Sequence, residues 1–389
     1  MPMETRPLAF GGPPVSRLGV GLAALGRPAY ITLGHGDDFP EGRDPDAMER
    51  RAHAVLDAAL AAGITCLDVA RSYGRAEAFL RSWLDARRIA PGAVVVGSKW
   101  GYRYVGDWRL DAPKHEVKDH SPAAFRVQLA ESRALLDPYL RLYQIHSATP
   151  ESGVLDDGRV LDGLAELRDG GVRVGVTVSG ASQAAMVRKA VAVRRGAAPL
   201  FASVQATWNV LERSCEEALR EAHAAGRTVI VKEVLANGRL TGRGDAGRAG
   251  PLALLASDVH ASPDAVAIAA ALARPWADVV LLGASSVEQL ASNLRALEVR
   301  AGPALLRRLD GLREQPADYW ERRGARAARS RAPPSRARCA RPRAPRGAPP
   351  RTSARGRSRS PGPPRRRARR RAGSPPRAGR CRAGGGRSR

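Results

Sequence analysis

Three things are scarce in this chain of 389 residues, and each scarcity closes off a class of protein. There are four cysteines, Cys66, Cys215, Cys339 and Cys381, with no CxxC spacing among them. That count and spacing suggest neither a disulfide framework nor a structural zinc site, and a reducing, cytoplasmic setting is expected. No apolar run approaches the roughly 20 residues of a membrane span, and Pro7, Pro13, Pro14 and Arg17 interrupt the start of the chain where a signal peptide would need a continuous apolar stretch. Acidic residues and lysine are missing altogether from 323–389, as are Leu, Ile, Val, Phe, Trp and Tyr.

That last absence divides the chain. The 24 arginines of 323–389 account for all but +2 of the formal net charge of +26. Residues 1–320 are therefore a nearly neutral body with ample apolar content. The segment 323–389 is an Arg/Pro-rich tail that cannot bury a core and is expected to be disordered. Its runs Arg365-Arg-Arg367 and Arg369-Arg-Arg371 suit nonspecific, salt-sensitive contact with phosphate backbones. An accessory role is a second reading. A frame-shifted translation of GC-rich coding sequence is a third, and the abrupt change after Asp318-Tyr-Trp-Glu321 favours it.

Within the body, short apolar runs alternate with helical patterns. After a turn signal at Gly11-Gly12-Pro13-Pro14, read as an N-terminal hairpin that caps one end of the fold, strands are expected at 20–25, 63–68, 93–99, 140–146, 172–178, 200–205, 227–232 and 278–283. Helices are expected at 46–61, 75–87, 121–136, 159–169, 182–194, 213–225, 263–273 and 287–298, with a further one at 302–314. Parallel strands need crossover helices, and eight βα units in about 300 residues predict a (β/α)₈ TIM barrel. A doubly wound open sheet is the alternative, but nothing marks the switch point it requires.

What the body does contain is a quartet of polar residues at the ends of apolar runs. Asp68 closes Ala-Gly-Ile-Thr-Cys-Leu-Asp, Lys99 closes Ala-Val-Val-Val-Gly-Ser-Lys, and His146 closes Leu-Arg-Leu-Tyr-Gln-Ile-His. Tyr73 follows Asp68 by five residues. In a barrel the carboxyl ends of the strands share one face, which carries the chemistry. A phenol ordinarily titrates near pH 10, and a neighbouring ammonium lowers that value. Lys99 is expected to do so, held by Asp68, while His146 orients a carbonyl oxygen. Such a set delivers a proton to an oxygen on which negative charge develops. None of the four is placed as a nucleophile beside its own base, so a hydride donor is the economical partner.

The stretches Asp68-Val-Ala-Arg-Ser-Tyr73-Gly74, Ser98-Lys99-Trp100-Gly101 and Gln144-Ile-His146-Ser147 resemble the motifs of the aldo-keto reductase superfamily. The resemblance covers residues 5 to about 320. It implies a monomeric or homodimeric barrel that reduces an aldehyde or ketone with NADPH, NADH being the alternative, with Tyr73 as general acid and Asp68, Lys99 and His146 completing the site. It further implies cofactor contacts from Thr177, Gln205, Asn209, Leu235, Asn237, Leu240, Gly283, Ser285, Gln289 and Asn293. Val178 stands where the family usually has asparagine, and Lys232-Glu233-Val234-Leu235 where many members have an aromatic residue followed by Ser-Pro-Leu. Gln289 stands where some carry an arginine.

Two patterns are decoys. Gly19-Val-Gly21-Leu-Ala-Ala24 matches a dinucleotide fingerprint, but Gly26 and Pro28 prevent the helix it must open. His115 and His120 are five residues apart, not the four a zinc helix needs. They belong to a long connection at 100–120 whose Trp100, Tyr102, Tyr104 and Trp108 are candidates for lining a substrate pocket, with a packed loop equally compatible. A second long connection spans 236–263. The rival function, from another class, is a redox-sensing or nucleic-acid-binding protein that works through the tail.

Overall fold

Each short apolar run is long enough for one strand and too short for a second layer of helix, so the strands pair side by side and helices cover them. In the computed structural model, which describes residues 3–245 and 250–329, eight strands close into a parallel barrel. They are β1 Leu18–Gly21, β2 Cys66–Asp68, β3 Val95–Trp100, β4 Leu140–Ala148, β5 Arg173–Val178, β6 Ser203–Thr207, β7 Thr228–Lys232 and β8 Val279–Leu282. Each pairs with its neighbours in sequence, and β8 returns to β1 through Leu282 opposite Val20. This is the (β/α)₈ barrel expected. The described residues lie within the compact unit Met1–Ser335. The expected disordered tail, apart from 323–329, falls outside the described residues.

The crossover helices are α1 Pro45–Ala61, α2 Ala76–Ala86, α3 Pro122–Leu136, α4 Gly158–Asp169, α5 Gln183–Ala192 and α6 Glu216–Ala224. Two more, α7 Pro251–Asp258 and α8 Pro263–Leu272, separate β7 from β8, and α9 Val287–Leu294, α10 Pro303–Asp310 and α11 Pro316–Arg329 follow the last strand. Their starts are chemically marked: Asp44, Ser121, Asp157, Ser262 and Ser286 each accept a backbone N–H of the first turn. Such a cap is worth about 1 kcal/mol. Among the described residues no single helix is long and apolar enough to cross a membrane.

The N-terminal hairpin pairs Thr5–Pro7 with Pro14–Ser16. Its Leu8 and Val15 sit under the barrel against Val95, Leu142, Ile230 and Val279, closing the floor. The first strand lies earlier than the 20–25 expected. After Gly21 the backbone turns at once, with Gly26 N–H donating to the Leu22 carbonyl at 2.9 Å. The connection at 100–120 is a second hairpin, Tyr102–Tyr104 against Glu116–Lys118, folded over the carboxyl ends of the strands. A satellite core built by Leu252, Leu255, Leu305, Leu309 and Tyr319 docks α11 on the β7 side.

Candidate active site

Strand ends deliver the quartet to one place. Asp68 is the last residue of β2 and pairs with Gly97 of β3, two residues short of Lys99. Lys99 Nζ donates to Asp68 Oδ2 at 2.5 Å and to the Val69 carbonyl at 2.9 Å, both fully inside. Tyr73 is carried by the turn after β2. That turn needs glycine on both sides: a side chain at Gly26 would lie 2.3 Å from the Tyr73 carbonyl, and Gly74, at φ +61°, packs on Gly26. The Tyr73 ring has Lys99 Nζ 4.8 Å from its centroid and the His146 ring edge-on at 5.5 Å. His146 sits where the β4–β5 register slips between Ile145 and Ala148, with Ser147 at φ +52°. Such a bulge redirects a side chain, and here His146 faces the cleft.

That cleft has a volume of about 580 Å³. Asp68, Tyr73 and His146 line one end of it, and Gly283, Gln289 and Asn293 the other. Its electrostatics correct one expectation. Burial, followed by the Asp68 carboxylate, pushes the Tyr73 phenol well above its ordinary range rather than below it. Lys99 does not reverse this because its charge is already matched by Asp68 at contact distance. The phenol therefore holds its proton throughout the neutral range. His146 moves the other way: burial, then Lys99 and Lys232, hold its imidazole well below the usual value, so it is neutral. Its Nδ1 lies 3.4 Å from Ser72 Oγ.

The sequence pattern assigns no role to Lys232 or Glu233. Lys232 closes β7 and reaches into the cleft, where its Nζ contacts Ser179 Oγ and Thr207 Oγ1, each at 3.0 Å. Burial brings it down to about 8, although Glu233 opposes the shift. Glu233 has φ +56°. Burial alone would raise its carboxyl, but Arg323 and Lys232 hold it at about 2. Arg323 grips it with two hydrogen bonds. The composition break assigned Arg323 to the tail; it lies instead in α11 and lines the cleft. Arg27, from the β1–α1 connection, stacks 4.8 Å over Tyr30 and 5.4 Å over Tyr73 and bonds Glu116 at 2.5 Å.

The sequence profile of the Aldo/keto reductase family matches residues 32–314. The chain belongs to the aldo/keto reductase family. It is therefore an oxidoreductase acting on carbonyl compounds, in a family that uses nicotinamide cofactors. Among solved structures, the fold is similar to the aldo-keto reductase AKR11C1 from Bacillus halodurans in its holo form, at 23% identity, TM-score 0.60, and coverage of 80% of this chain and 96% of that one. It is also similar to PA4992 from Pseudomonas aeruginosa, at 23% identity, TM-score 0.54, and coverage of 78% and 95%. No curated protein sequence matches the chain.

The expected cofactor residues of this aldo/keto reductase divide into two groups. Gln205, Leu235, Asn237, Gly283, Gln289 and Asn293 line the cleft. Thr177, Asn209, Leu240 and Ser285 are buried behind it. Thr177 Oγ1 accepts the Ser147 N–H at 2.7 Å, Asn209 bonds Tyr319 Oη and the Glu233 carbonyl at 3.0 Å each, and Leu240 packs in the satellite core. Gln205 Nε2 donates to Asp68 Oδ1 at 3.0 Å. Of the aromatic candidates in the 100–120 connection, Tyr102 lines the cleft. Trp100 packs on Phe125, and Trp108 Nε1 bonds the Arg43 carbonyl. His115 lines the cleft, His120 Nε2 donates to the His146 carbonyl at 2.9 Å, and no group of side chains able to hold a metal ion occurs among the described residues.

Proposed function

We propose that the protein reduces an aldehyde or ketone to an alcohol by hydride transfer from a nicotinamide dinucleotide, with Tyr73 as the proton donor. The observation that carries this reading is the shared cleft: a protonated phenol and a neutral imidazole face one end, and the cleft continues to the carboxyl end of β8. The residues fit a dinucleotide, because one cleft of about 580 Å³ runs from Tyr73 and His146 to the carboxyl end of β8 and carries polar side chains, Gln205, Lys232, Gln289 and Asn293, along that length. Gln205 and Lys232 would flank the nicotinamide, and Gln289 and Asn293 the adenosine.

A bound reduced nicotinamide supplies the hydride that attacks the carbonyl carbon. The chain's own residues do the rest. Tyr73 Oη and the His146 imidazole hydrogen-bond the carbonyl oxygen and orient it. As the C=O π electrons move to oxygen, the Tyr73 proton passes to it, forming the alcohol and leaving a phenolate. Arg27, 5.4 Å over the Tyr73 ring, is the cation that compensates that phenolate. A high phenol pKa in the free site keeps the donor loaded until charge appears on the oxygen. NADPH and NADH are both members of the fitting class.

The test is to mix the purified chain with NADPH or NADH and a panel of aldehydes and ketones and to follow loss of nicotinamide absorbance. Turnover of at least one carbonyl with alcohol formed in equal amount is expected. No quenching of tryptophan fluorescence by either dinucleotide and no oxidation with any carbonyl would reject the reading.

A further inference from the structure

At the far end of the cleft the chain uses its own carboxylate as a plug. Asp38 closes the short turn His35–Asp38 in the β1–α1 connection, and its side chain is almost wholly shielded. Asp38 Oδ2 accepts the Ser285 hydroxyl at 2.7 Å, and Oδ1 accepts Gln289 Nε2 at 2.8 Å. Arg243 closes on the same carboxylate from the segment after β7. Burial would raise the Asp38 carboxyl, but those three donors overcome it and hold it below the ordinary value, so it is ionised at neutral pH. Asp264, which also lines this end, accepts from Ser292 and Asn293 at 2.8 Å each. Two acidic side chains thus face one arginine among the described residues that line this end.

The proposed reaction fixes which part of a dinucleotide arrives there. The ring that gives up hydride must lie beside Tyr73 and His146. The remainder has the β7–β8 side of the cleft to occupy, which ends at Gln289, Asn293 and Asp38. A ribose 2′-hydroxyl in that place can donate to a carboxylate. A 2′-phosphate, carrying about −1.5 to −2 charge at pH 7, meets the same carboxylate with like sign and competes with it for Ser285, Gln289 and Arg243.

We infer that Asp38 is a specificity-determining residue which makes this cleft select NADH over NADPH, by keeping a carboxylate, with Ser285, Gln289 and Arg243 engaged on it, where the adenosine 2′ position arrives. The inference rests on the proposed dinucleotide-dependent reduction and narrows its cofactor. It departs from the NADPH expected from family resemblance, and the reason is local: the donors otherwise available to a phosphate are already engaged.

The test is a titration of the full chain and two variants, Asp38→Asn and Asp38→Ser, with NADH and NADPH, read by quenching of tryptophan fluorescence without any turnover. The arginine-rich tail is common to all three chains, so its attraction for phosphate cancels when the NADH-to-NADPH ratios of the three are compared. For the unaltered chain, NADH binding tighter than NADPH by roughly tenfold or more is expected from like-charge opposition at the 2′ position. At least one variant should tighten NADPH by about the same factor while weakening NADH only a few-fold. Equal or tighter binding of NADPH by the unaltered chain overturns the inference and leaves the proposed reaction standing. A ratio unmoved in both folded variants overturns it as well. Failure of both dinucleotides to bind overturns the inference together with the reaction on which it rests.

Discussion

One set of cleft side chains, Asp68, Tyr73, Lys99 and His146, stands on β2, β3 and β4 or within five residues of them. A second set of cleft side chains stands on connections: Asp38 before α1, Glu233 and Arg243 after β7, and Arg323 on a helix beyond the barrel. The first set is fixed by ladder register. Asp68 and Lys99 meet because β2 and β3 are neighbours, and no loop geometry enters. The second set is fixed by tertiary docking, with Tyr319 in the satellite core bringing Arg323 onto Glu233. Reaction chemistry tolerates little displacement, whereas loops vary readily and set what is bound.

The comparison breaks most sharply at Tyr73. Tyr73→Phe removes the proton donor without touching the far end. Carbonyl reduction is expected to fall about 10²- to 10⁴-fold, with dinucleotide affinity by fluorescence titration essentially unchanged. Loss of affinity in parallel with turnover would mean that the two ends are not separable.

Lys99→Met tests whether the register-fixed set also carries stability. It leaves Asp68 buried without its cation, and breaking such a pair costs about 3–5 kcal/mol. Chemical denaturation should show a loss of unfolding free energy of that size, and Asp68→Asn combined with it should recover part of the loss. The equivalent break in the docked set is smaller. Arg323→Met uncouples Glu233, but the guanidinium keeps some water contact, so about 2 kcal/mol is expected. A chain ending at residue 322 should reproduce that loss, and one ending at residue 335 should not.

The smallest effect is a pH dependence. Lys232 is held at about 8 in the folded chain, below its ordinary 10.5. Between those values the unfolded chain binds a proton that the folded chain lacks, so stability rises with pH through that window. The slope is at most about 1.4 kcal/mol per pH unit. Lys232→Met removes it, so its advantage over the unaltered chain is greatest below pH 8 and shrinks toward pH 10.5. Urea unfolding at several pH values reads the difference, and a difference independent of pH would show that Lys232 is ordinarily solvated.

Much of the fold was legible because barrel strands are short, uniformly apolar runs that alternate with helical patterns, and the observed helices fall within that alternation. The first strand was misplaced because Val20-Gly-Leu-Ala-Ala-Leu25 is apolar throughout, and apolarity alone does not mark where a backbone turns. The helices α7 and α11 went unread, the latter because its arginines resemble the tail that follows. The raised phenol of Tyr73 was not legible at all. Burial and the pairing of Lys99 with Asp68 decide its sign, and neither is a property of spacing.

Residue order by itself determined the eight βα repeats and the presence of Asp68, Tyr73, Lys99 and His146 on one face, because strand ends of a parallel barrel share a direction whatever surrounds them. Only the tertiary structure decided that Asp38 meets Ser285 and Gln289, some 250 positions away, and that Arg323 meets Glu233. Those contacts depend on how connections pack over the barrel mouth, and packing free energy is summed over many distant neighbours that no local pattern contains.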